Sequence, residues 1–269
     1  MPENRLDHTF ARLRQEKKAA FVAYLAAGDP SLDATLGLVL ALEAAGVDVI
    51  ELGLPFSDPL ADGIVNQMAA QRALDAGTTT AGVLTLVRRI RERSQVPIVL
   101  FTYLNPVYTY GFGQFHADAA AAGVDGVLLL DLPPDEAAVN AELSATHGLK
   151  QIRLIAPTTP PGRMKEIGAK GEGFIYYVSR EGVTGEQTSL AANIAENVAL
   201  IQSGGSGVPV CVGFGISTPE QAAAVARSAD GVVVGSAIVK TIATHGQEAD
   251  LAEKVAAFVR PLVTAAKAG

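Results

Sequence analysis

The chain has 269 residues, 49% of them hydrophobic and 18% charged, and its formal net charge is −7. That length suits one large core, and the acidic balance argues against nucleic acid or an anionic membrane as a partner. A lone cysteine, Cys211, excludes an intrachain disulfide and fits a reducing compartment.

From the N-terminus, a charged segment with helical patterning covers 3–16 and shows no secretory leader. Eight short apolar runs follow, at 20–26, 47–54, 97–104, 126–132, 151–156, 173–179, 208–214 and 231–235, and each reads as a strand. Helical patterns separate them, among them 33–45, 80–93, 134–146, 190–202 and 219–227. Ser217-Thr218-Pro219-Glu220 supplies a polar cap followed by proline, and Ala45-Gly46 and Ala122-Gly123 end helices on glycine. The longest uncharged stretch, 94–117, is interrupted by Pro97, Asn105, Pro106, Gly111 and Gly113, so no membrane span is expected. A soluble, cytoplasmic protein is the expectation.

Strands alternating with helices imply parallel pairing, and uninterrupted apolar strands imply burial on both faces. Eight such units fit a closed (β/α)8 barrel, a TIM barrel, better than an open sheet. The helix at 3–16 precedes the first strand and is expected to plug the barrel bottom. No Pro/Gly/Ser-rich linker divides the chain, so 1–269 reads as one domain.

In such a barrel the chemistry sits at the C-terminal strand ends. The four histidines, His8, His116, His147 and His245, all fall elsewhere, which leaves no metal cluster at that face. Lys150 precedes its strand and Lys240 follows the last one inside a helix, so no amine is placed for a Schiff base. Carboxylates and tyrosines remain. Glu51 is the most informative: period two puts Val47, Val49, Glu51 and Gly53 on one face, with the carboxylate in the strand's upper half. Either a neighbour satisfies it structurally, or its pKa is raised for general acid–base work. The loop after it, from Pro55 to Gly63, is stiffened by Pro55 and Pro59 and offers Asp58 and Asp62 on equal terms. Asp29 and Asp131 each precede a proline-marked helix start and read equally well as helix caps. Late in the chain, Gly182-Val183-Thr184-Gly185, Gly213-Phe214-Gly215-Ile216-Ser217 and Gly235-Ser236 form glycine-rich strand ends suited to phosphate. Cys211, inside an apolar run, reads as a buried small hydrophobe.

These residues together resemble the tryptophan synthase alpha family across essentially the whole chain. The most specific match is the unbroken run Glu51-Leu52-Gly53-Leu54-Pro55-Phe56-Ser57-Asp58-Pro59-Leu60-Ala61-Asp62-Gly63. Gly28-Asp29-Pro30, Ser179-Arg180-Glu181-Gly182-Val183-Thr184-Gly185, Gly213-Phe214-Gly215-Ile216-Ser217 and Gly235-Ser236-Ala237-Ile238-Val239 add to it. The resemblance implies a metal-free lyase of tryptophan biosynthesis that cleaves indole-3-glycerol phosphate to indole and glyceraldehyde 3-phosphate. It implies Glu51 as general acid–base, Asp62 as the carboxylate on the indole N–H, and Tyr176 beside Glu51. It further implies Thr184 as the closing-loop partner of Asp62, Gly185, Phe214, Gly215, Gly235 and Ser236 at the phosphate, and Tyr24, Phe101 and Leu128 around the indole. No cofactor is implied on this chain. Pyridoxal phosphate is implied only in a partner beta subunit of an alpha2-beta2 complex, faced by the Pro55–Pro59 loop and Asn105-Pro106. Two departures stand out: Ile64 where the family commonly has proline, and Asn66 where it has an aliphatic residue. Both are expected to spare the chemistry and to weaken the helix entry after the loop. Two other readings share the glycine loops: a stand-alone indole-releasing lyase, and an isomerase of a phosphorylated sugar, which does not account for the run from Glu51 to Asp62.

Overall fold

The computed structural model describes residues 4–133, 137–179, 187–213 and 215–269, with 187–192 described by their backbone alone. Strands β1 (Ala20–Ala26), β2 (Val49–Gly53), β3 (Ile98–Thr102), β4 (Gly126–Leu129), β5 (Lys150–Gln151), β6 (Arg153–Ile155), β7 (Ile175–Val178), β8 (Val210–Gly213) and β9 (Gly231–Val234) form one sheet. Its order is β5-β4-β3-β2-β1-β9-β8-β7-β6, and every pairing is parallel. The two ends of that order belong to one segment: β5 pairs with β4, β6 pairs with β7, and Ile152 between them donates its N–H to Val127 O at 3.0 Å. The sheet therefore closes on itself as the expected eight-stranded barrel, its fifth strand interrupted at Ile152. Closure leaves no edge to template another chain.

The helices are α1 (Arg5–Glu16), α2 (Leu32–Ala44), α3 (Ile64–Asp75), α4 (Thr80–Arg91), α5 (Leu104–Tyr110) and α6 (Phe112–Ala122), then α7 (Ala138–Thr146), α8 (Pro161–Ala169), α9 (Gln187–Gln202), α10 (Pro219–Ala226), α11 (Ser236–His245) and α12 (Leu251–Lys267). α7 begins later than the expected 134, and residues 134–136 lie outside the described residues. Thr218 closes α10 with a capping box, and Gly46 and Gly123 take positive φ at helix ends as their positions require. Among the described residues no helix is long and apolar enough to cross a membrane.

Strand alternation builds two layers. Phe21, Ala23 and Leu25 of β1 join the outer layer under the helices, while Ala20 and Val22 face inward with Val49, Val99, Leu128, Ile152, Phe174, Cys211 and Val233. Leu6, Phe10 and Leu13, spaced for one face of α1, pack on that inner layer and plug the bottom. Val47 does not share the face of Val49 and Glu51 as the period-two reading expects. It precedes β2, which starts at Val49, and belongs to the outer layer.

Two helix-cap readings are corrected. Ser31, not Asp29, caps α2, its hydroxyl accepting from Ala34 N. Asp29 is instead 1% exposed and accepts from Arg72 Nε at 2.8 Å and from Arg72 Nη2 at 2.7 Å. Asp131 caps a neighbouring helix rather than one of its own, accepting from Leu104 N at the start of α5 at 2.7 Å.

Candidate active site

β2 carries Glu51 into the upper barrel interior, in register with Tyr24 of β1 and Val99 of β3. Its side chain is fully enclosed, and neither carboxyl oxygen has a hydrogen-bond partner among the described residues. A bare charge there would be costly, and burial pushes its pKa up to about 8. Glu51 is thus a neutral acid at neutral pH, holding a proton that no described neighbour competes for. The purely structural reading, a glutamate satisfied by a nearby hydroxyl or amide, has no such neighbour among the described residues.

Two tyrosines flank it. Tyr24 is buried edge-on to Phe101, with ring centroids 5.1 Å apart and planes at 68°. Burial raises the pKa of Tyr24 and of Tyr176, and the charges of Glu51 and Asp62 raise both further, so each stays a neutral hydroxyl. Glycines make room for these rings. A Cβ on Gly53 would lie 2.5 Å from Tyr24 Oη, and one on Gly213 would lie 2.9 Å from Tyr176 Oη. Gly213, read from sequence as part of an anion loop, is therefore also required by the packing of Tyr176. Leu128 pairs in register with Phe101 and is fully buried in the inner layer on which Phe101 and Tyr176 pack.

Asp62 reaches the same mouth from the loop after β2. Tyr103 Oη donates to its Oδ2 at 2.9 Å and accepts from Ala61 N at 3.0 Å, and Gln67 Nε2 donates to the Asp62 carbonyl at 2.8 Å. Burial raises the Asp62 pKa, while the bonds from Tyr103 and Asn66 oppose that rise. Asp58, its equal on the sequence, is exposed and engages the adjacent Ser57 hydroxyl. The helix entry is not weakened by Ile64, since α3 begins at that residue. Behind it, Ala69 packs with Tyr24, Ala26 and Val239, which seats α3 across the barrel mouth.

The late glycine loops divide by how their helices are capped. The N-terminus of α10 is closed by its own residues, because Gln221 Oε1 accepts from Ser217 N at 2.8 Å and from Thr218 N at 3.1 Å. α11 starts at Ser236 behind Gly235, which offers no capping side chain, so its first-turn N–H groups stay open to an anion. Gly215 has φ +68°, a backbone conformation that other residues rarely adopt. Thr184, Gly185 and Phe214 lie outside the described residues.

A family model described as tryptophan synthase alpha chain matches residues 10–267. The chain belongs to the tryptophan synthase alpha chain family. The tryptophan synthase alpha chain of Geobacter sulfurreducens is 51% identical over 259 residues, covering 96% of this chain and 97% of that one. The homologue from Opitutus terrae is 50% identical over 98% of this chain and 99% of its own. Among solved structures, tryptophan synthase subunit alpha from Legionella pneumophila superposes with a TM-score of 0.89 at 39% identity, covering 98% of both chains. A chain of Mycobacterium tuberculosis tryptophan synthase gives a TM-score of 0.88 at 34% identity over 99% of both.

Sequence reading missed Tyr103, the residue that anchors Asp62. The signal was available, since 99, 101 and 103 share strand parity and Tyr103 directly follows β3 at the top face. Leu130 and Leu154, partly buried on the same inner layer, were also passed over. The histidines stay away from this mouth where their environment is described. His116 is enclosed between α6 and α7, its ring nitrogens 2.8 Å from Phe112 O and Asn140 Oδ1. Lys150 pairs with Asp7 of α1 at the barrel bottom.

Proposed function

We propose that the chain cleaves indole-3-glycerol phosphate to indole and glyceraldehyde 3-phosphate, with Glu51 as the proton carrier. The observation that carries this reading is the enclosed, proton-loaded Glu51, without a hydrogen-bond partner among the described residues, at the mouth that Asp62 also faces. Glu51 delivers its proton to the ring carbon that bears the glycerol chain, and the ring nitrogen takes up the positive charge. Asp62 accepts the ring N–H and stabilises that charge. The Glu51 carboxylate then removes the proton of the adjacent hydroxyl. The carbon–carbon bond breaks, its electron pair returns to the ring, and Glu51 ends the cycle protonated as it began. The ring itself is the electron sink, so the reaction calls for neither metal nor imine.

Tyr24, Phe101 and Leu128 wall the ring, and Tyr176 bounds the space around Glu51. Gly215, Gly235 and Ser236 hold the phosphate at the open end of α11, with Gly185 and Phe214 expected beside them and Thr184 expected to close on Asp62. The chain acts as one domain spanning 1–269 in the cytoplasm, as the alpha subunit of an alpha2-beta2 complex whose beta subunit carries pyridoxal phosphate. An apolar outer surface supports that docking: Leu60, Ile64, Met68 and Tyr108 are all strongly exposed. Beside them a cavity of about 440 Å³ is lined by Pro55, Phe56, Asn105 and Pro106. The test is indole formation from indole-3-glycerol phosphate, with and without a beta subunit. No indole in either condition sinks the reading.

A further inference from the structure

Asn66, where the family commonly has an aliphatic residue, lies against the Asp62 carboxylate. Asn66 lies on the first turn of α3, on the face that continues through the buried Ala69 and Ala73. Its Nδ2 points at Asp62 Oδ1 across 3.5 Å, while Tyr103 holds the other oxygen of the same carboxylate at 2.9 Å. Its own Oδ1 is buried and has no donor among the described residues. An orphaned buried acceptor is a standing cost that an aliphatic side chain on the same face would not carry. The amide orientation follows from the neighbour, since a carboxylate accepts and only the NH2 end of Asn66 can donate to it.

We propose that Asn66 is a positioning residue, which fixes the Asp62 carboxylate towards the barrel mouth, at the expense of fold stability. The inference rests on the proposed role of Asp62 as the acceptor of the ring N–H. Asp62 then sits between two donors, a phenol on one oxygen and a carboxamide on the other, and its remaining lone pairs are left for the substrate. Burial works against this by raising the Asp62 pKa, and the Asn66 amide works for it. No other titratable side chain is bonded to Asp62 apart from Tyr103, among the described residues.

The test compares the full-length parent chain with Asn66→Leu, Asn66→Asp and Asp62→Asn, following indole release from indole-3-glycerol phosphate across pH. Losing the amide donor moves the acid limb of kcat/KM to higher pH in Asn66→Leu, and the second carboxylate in Asn66→Asp moves it further. At pH 6 the leucine variant is expected to lose about threefold in kcat/KM, the modest weight of a long 3.5 Å amide–carboxylate contact. Its thermal midpoint rises, because the orphaned acceptor is gone. A merely structural asparagine would instead lower the midpoint and leave the acid limb in place. An acid limb that stays put in both Asn66 variants, with Asp62→Asn inactive, overturns the proposal and leaves the role of Asp62 standing. Full turnover by Asp62→Asn brings down that role itself.

Discussion

The two ends of the barrel treat carboxylates in opposite ways. At the bottom, Asp48 accepts from Phe21 N at 2.9 Å and pairs with Arg12 and Lys267, which ties α1 and α12 to the strands. Asp125 accepts from Ile98 N at 2.8 Å and pairs with Arg5 and Arg91. Asp230 accepts from Val210 N at 2.8 Å, again from the strand start beside it. Each opens a strand and clamps the backbone of the preceding one. At the top, Glu51 is fully buried and is bonded to none of the described residues. The same chemical group is structural where its lone pairs are filled and reactive where they are not.

The contrast breaks most visibly at Glu51. Glu51→Gln keeps the volume and removes the proton, so indole release should fall by about 10²–10⁴-fold, the usual weight of general acid–base catalysis. Binding of a non-cleavable substrate analogue, followed by calorimetry, should persist. Turnover near the parent rate would return Glu51 to the class of structural carboxylates.

Asp125 gives the reverse result. Its partner Arg91 is itself largely buried, so Asp125→Ala strands a guanidinium in the fold and should cost about 3–5 kcal/mol of stability. Urea unfolding would show the loss, while kcat/KM per folded molecule stays at the parent value. A drop in kcat/KM without a drop in stability would mean the two ends are not separate in function.

That separation also decides what the sequence could reveal. The eight strands and the plug helix were legible because apolar runs and the 6, 10, 13 spacing of α1 report burial directly. Glu51 was legible because a carboxylate in an apolar strand contradicts its surroundings. Asp29 misled because a turn aspartate before proline looks like a cap, and its partner Arg72 lies 43 residues away in α3. Asp58 and Asp62 could not be ranked, because a loop has no period to say which side chain turns inward. Asn66 was set aside for a related reason. Its partner is four residues back, but the emptiness around its Oδ1 exists only in three dimensions.

The last effect is a tilt with pH. Between about 4.5 and about 8 the folded chain holds a proton on Glu51 that the unfolded chain has released. The folded state binds more protons in that window, so the stability that Glu51 contributes is fully present below it and is lost as pH rises through it. Glu51→Gln has nothing to release there. The thermal midpoint of the variant minus that of the parent should therefore grow from pH 5 to pH 8 and then level off. The carboxylates at the bottom are common to both proteins and cancel in the difference, so the tilt isolates the top face. A flat difference across that window would mean that Glu51 is already ionised in the folded chain. The acid that first protonates the ring would then have to come from elsewhere.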